Sequence, residues 1–75
     1  MNKSYTTSEL IAQLYDNLRC MAPQGAESQY IAGYLNTALK EIVEGGIDEL
    51  VAHVDWTNQR VEAKRNVLKK LQINL

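Results

Sequence analysis

The sequence predicts an all-α protein of three helices, an antiparallel helical hairpin followed by a long C-terminal helix, within a single domain spanning residues 1–75. Three observations carry this expectation. Apolar residues recur at spacings of three and four through residues 10–22 and again through 30–43, which places them on one face of a helix. Pro23 with Gly25, and the pair Gly45 and Gly46, punctuate the chain twice with residues that end helices. The β-branched residues are scattered without the alternation that a strand requires.

The first helix is expected over residues 7–22. In "YTTSEL", Thr6 is placed to cap the free amides of a helix start, and Glu9, three residues on, to reach back to the cap. Leu10, Ile11, Leu14, Tyr15, Leu18, Met21 and Ala22 then share one face. The second helix, over 26–44, has the widest apolar face. Tyr30, Ile31, Tyr34, Leu35, Ala38, Leu39, Ile42 and Val43 fill rather less than half of its wheel, so neighbours are expected on more than one side.

From Ile47 onward the chain has neither Gly nor Pro, and a third helix is expected over 47–73. Asp48 and Glu49 fall in its first turn and Lys69 and Lys70 near its last, each where the helix dipole favours that charge. Ile47, Val54, Val61, Leu68 and Leu75 repeat every seven residues, with Leu50 and Leu71 at the intermediate heptad position. Thr57 and Lys64 occupy that same position, so the seam is weak in its middle. The competing reading breaks this segment near "VDWTNQ" and starts a further helix on a cap at Asp55 or Thr57.

Length then bears on assembly. A helix over 48–73 would measure about 39 Å, whereas a compact globule of this size is about 30 Å across. The last helix therefore overhangs, and Val54, Val61, Leu68, Leu71 and Leu75 form a strip within about 100° of arc. A second copy of the chain is the simplest cover, and a dimeric helical bundle is the expectation. Trp56 lies off this strip and is the best candidate for a partner hot spot if exposed.

The basic residues of the same helix suggest nucleic acid as an alternative. Residues 26–55 carry one Lys and six acids, while residues 56–75 carry five bases and one acid. However, Arg60, Lys64, Arg65, Lys69 and Lys70 surround the helix, whereas a groove-reading helix gathers its bases on one side. The apolar strip is ordered and the charge is not, so packing is the preferred reading.

Composition excludes several classes of function. The single cysteine, Cys20, forms no bridge within one chain and fits a reducing compartment. One histidine, His53, and one cysteine far apart in sequence do not make a four-ligand zinc site, and no cofactor or metal is expected. There is no membrane-length apolar run and no signal-peptide block, so a cytoplasmic location is expected. Glu41, Glu44, Asp48, Glu49 and Asp55 read as a solvated acidic surface, and His53 as an ordinary boundary residue. No phosphate-binding glycine loop and no nucleophile with a base are present in the sequence. The expectation is a non-enzymatic protein-binding regulator, adaptor or inhibitor acting as a homodimer, with a dimeric DNA-associated transcriptional regulator as the alternative.

Overall fold

A computed structural model describes residues 5–73 and contains three helices: α1 over Thr7–Met21, α2 over Glu27–Gly45 and α3 over Ile47–Ile73. Helix α1 begins on the expected capping box. The Thr6 amide donates to Glu9 Oε1 at 2.9 Å and the Glu9 amide donates to Thr6 Oγ1 at 3.1 Å, which satisfies two amides left free by the helix start. It ends at Ala22, whose amide returns to the Leu18 carbonyl before Pro23 turns the chain.

One residue separates α2 from α3. Gly46 has φ 73° and ψ −154°, a backbone region open essentially to glycine alone. Its amide donates to the Ile42 carbonyl at 2.8 Å, and its carbonyl accepts from the Glu49 and Leu50 amides, so it closes one helix and opens the next. A Cβ on Gly45 would lie 2.8 Å from the Glu49 Cβ. Both glycines are therefore needed for a corner this tight.

Helix α3 is unbroken through "VDWTNQ". Thr57 does not start a new helix; its hydroxyl donates to the His53 and Val54 carbonyls at 2.8 and 3.0 Å, bonds that an interior helical threonine makes to its own preceding turn.

Contacts between side chains fix the directions of the helices. Asn17 meets Thr57, and Lys64 meets the Cys20 carbonyl, so α1 and α3 run parallel. Tyr34 stacks on Trp56 while Glu41, further along α2, reaches back to His53, so α2 runs antiparallel to α3. The order is up, down, up. Leu10, Leu14 and Leu18, each one turn from the next, meet Ile31 of α2 and Leu50 and Val54 of α3 in the core.

The core is narrower than the helical wheels suggest. On α2 only Ile31 and Ala38 are buried, while Leu39 is half exposed and Val43 is 80 % exposed. On α1, Ile11 and Tyr15 are likewise about half exposed. Two neighbours per helix cover a stripe, and three helices cannot enclose a face almost half a turn wide.

The weak positions of the α3 heptad turn out to be polar contacts with α1. Thr57 is fully buried and Asn17 nearly so. Asn17 Nδ2 donates to Thr57 Oγ1 at 3.0 Å and to Asn58 Oδ1 at 2.7 Å, and Asn17 Oδ1 accepts from Gln13 at 3.0 Å. Removing one member of a buried bonded set costs about 1–3 kcal/mol. Asn17→Ala should accordingly lower the unfolding free energy in urea by about 2 kcal/mol and Thr57→Val by about 1 kcal/mol, because Val keeps the volume. Gly46→Ala should cost about 1–3 kcal/mol through backbone strain alone.

Candidate functional site

Two regions of α3 stand out, its uncovered end and the polar cluster near its start. The uncovered end begins where α1 stops. The ammonium of Lys64 donates to the Cys20 carbonyl at 2.5 Å, one of the free carbonyls of the last turn of α1, where a cation also meets the negative end of the helix dipole. Among the described residues Val61 is the last buried position of α3. Beyond it Val67, Leu68 and Leu71 are 57, 50 and 57 % exposed. The molecule is correspondingly long, 46 × 32 × 16 Å, with a radius of gyration of 14.0 Å, against about 11 Å for a compact chain of this length.

The strip read from the sequence is thus divided. Val54 and Val61 are buried against the chain's own core and are spent there. Leu68 and Leu71 are open, joined by Val67, which lies outside the predicted strip. Leu75 lies outside the described residues. Trp56 is 44 % exposed. One face of it stacks on Tyr34, with ring centroids 6.4 Å apart, and the Arg60 guanidinium lies 4.7 Å from its ring centre.

The bases do not form a common face. Arg60 is held at Trp56 and Lys64 at the end of α1, while Arg65, Lys69 and Lys70 are exposed around the remaining turns. Cys20 is exposed, beside Asp16, Arg19 and Glu27.

Near the start of α3, helix pairing assembles a cluster that sequence reasoning missed. His53 and Glu49 are one turn apart on α3, and Glu41 faces them from α2. His53 Nε2 lies 3.1 Å from Glu41 Oε1 and 3.8 Å from Glu49 Oε2. Its other nitrogen, Nδ1, lies 2.5 Å from the Tyr34 hydroxyl, and the two rings meet edge to face at 5.6 Å. The His53 side chain is only 16 % exposed, while the two carboxylates are about half exposed. Glu49 and His53, four apart, are the one legible half of this cluster; the contribution from α2 depends on how the hairpin closes.

Burial raises the Tyr34 pKa above its ordinary 10.0, with nearby Tyr30 and Glu41 adding to the shift. A phenolate here would lose water and face other negative groups.

No helix among the described residues is long and apolar enough to cross a membrane. No protein-family model, no curated protein and no solved structure matches the chain, so function rests on the geometry.

The shift at Tyr34 has a measurable sign. The folded chain holds this proton more tightly than the unfolded one, so its contribution to stability is present below pH 10.0 and falls as pH rises through the folded-state pKa. Ultraviolet titration of the tyrosines should therefore end in a late ionisation that Tyr34→Phe removes; a titration unchanged by that substitution would contradict the assignment.

Proposed function

We propose that the chain is a non-enzymatic protein-binding protein, a small regulator, adaptor or inhibitor, that works as a homodimer through the last turns of α3. The observation that carries this reading is the exposure of Val67, Leu68 and Leu71 on a helix segment that neither α1 nor α2 reaches. An apolar edge on two to three isolated turns is unfavourable in water, and so short a length of helix is marginal without packing.

The occupant proposed for this edge is a second copy. Residues 56–75 carry a net +4 and residues 26–55 a net −5, so the end of α3 in one protomer is complementary in charge to the body of its partner. That body also holds Leu39 and Val43 exposed. Opposite charge steers association and sets orientation, while the apolar contacts supply affinity. Two copies leave Trp56 or the unused apolar faces of α1 and α2 for a further protein.

Light scattering after gel filtration should give about twice the chain mass of 8.5 kDa. Because Leu68 and Leu71 lie outside the core, Leu68→Glu with Leu71→Glu should return the protein to monomer while leaving its helical circular dichroism nearly intact. The dimer should weaken as salt rises, since part of the attraction is between exposed charges. A wild-type monomer at high micromolar concentration would overturn the reading. Titration with duplex DNA separates the nucleic-acid alternative, which requires binding that falls steeply with salt.

A further inference from the structure

We propose that Glu41, Glu49 and His53 form a binding site for a divalent transition-metal ion, with zinc the expected occupant. Each residue offers one ligand atom, and the three atoms lie within 4.8 Å of one another. For a tetrahedral zinc ion, with bonds of about 2.0–2.2 Å, neighbouring ligand atoms lie about 3.3–3.6 Å apart. The two separations from His53 Nε2, 3.1 and 3.8 Å, bracket that range. The third edge, between the carboxylates, needs only side-chain rotation at two partly exposed glutamates. The backbone positions are already set, two by one turn of α3 and one by the hairpin that Gly45 and Gly46 close.

The imidazole separates this cluster from an ordinary acidic surface. One histidine and two carboxylates suit zinc, with a water in the fourth position. A metal-ligating histidine almost always engages its other ring nitrogen, which fixes tautomer and orientation. Here that partner is the Tyr34 hydroxyl, 2.5 Å from Nδ1. With Nδ1–H donating to the phenol oxygen, the Nε2 lone pair points toward Glu41 and Glu49. A phenol hydroxyl both accepts and donates, so the Tyr34 oxygen can accept from Nδ1–H while its own proton bonds outward.

Two carboxylates directed at one nitrogen also offer a cation bound there two anionic ligands. A proton on Nε2 serves one oxygen well, at 3.1 Å, and leaves the other at 3.8 Å, beyond hydrogen-bond range. A metal ion satisfies both together. Glu41 comes from α2, and Glu49 and His53 from α3, so the bound ion would tie the two helices beyond their one-residue corner. Trp56, the only tryptophan and stacked on Tyr34, lies close enough to report occupancy.

The test is titration of the untagged full chain with Co2+, following its ligand-field absorption, then displacement by Zn2+ measured calorimetrically. The expected result is one saturable site per chain of about micromolar affinity, with Co2+ bands of four-coordinate intensity. Cys20→Ser should leave binding unchanged, which excludes the exposed thiol. His53→Ala should weaken binding at least about 100-fold, and Glu41→Gln or Glu49→Gln about 10-fold each. Tyr34→Phe should weaken it about 10-fold, the lower end of the range for a group that orients a ligand. Zinc at about one hundred times its dissociation constant should raise the Tm by about 10–20 °C. Should His53→Ala fail to fold, Glu41→Gln with Glu49→Gln, both on partly exposed carboxylates, carries the same test. No saturable binding below millimolar metal, binding lost in Cys20→Ser, or binding indifferent to both the His53 and the glutamate variants would each overturn the proposal.

Discussion

The buried hydrogen bond from Asn17 to Thr57 sets how far α1 travels along α3, and that register determines most of the architecture. An apolar seam tolerates sliding by a turn at modest cost, because one leucine replaces another. A buried amide does not, since any slip takes from Asn17 Nδ2 its two acceptors on α3, Thr57 Oγ1 and Asn58 Oδ1. With Asn17 opposite Thr57, the last turn of α1 falls opposite Lys64, and nothing from α1 remains to cover the turns of α3 beyond that point. The same register presents His53 and Trp56 to α2, because the face of α3 beside the one taken by α1 is the one that α2 must use.

Much of the fold is legible in the sequence because its signals are local. The capping box at Thr6 and Glu9, the stops at Pro23 and Gly46, and the charges at the two ends of α3 each act within one turn. Core membership is less legible. Leu39 and Val43 have the period of core residues yet stay exposed, since periodicity names a face without saying how much of it neighbours reach. Thr57 and Lys64 look like defects in a heptad when judged as apolar positions. They match instead the amide of Asn17 and the free carbonyl of Cys20, partners some forty residues away that no window on the sequence contains.

The α2 half of the polar cluster is illegible for the same reason. Glu41 has the sequence position of a solvated residue, and it is about half exposed; its significance lies in standing opposite His53 across a corner one residue wide. The two halves of α3 therefore differ in kind. Its first four turns are engaged on both sides, by the leucines of α1 and by Tyr34 and Glu41 of α2, whereas residues 62–71 are exposed throughout. A helix with one anchored half and one free half is suited to presenting a surface, which is the physical basis for reading this protein as a binding module.

Amide hydrogen exchange along α3, measured across a range of protein concentration, tests that reading most directly. Protection in residues 47–61 should be high and independent of concentration, because the chain's own core supplies it. Protection in residues 65–73 should be weak in dilute solution and rise with concentration, as a second copy covers the exposed edge. Fast exchange in residues 65–73 at every concentration would contradict the account, and so would equal, concentration-independent protection along the whole helix.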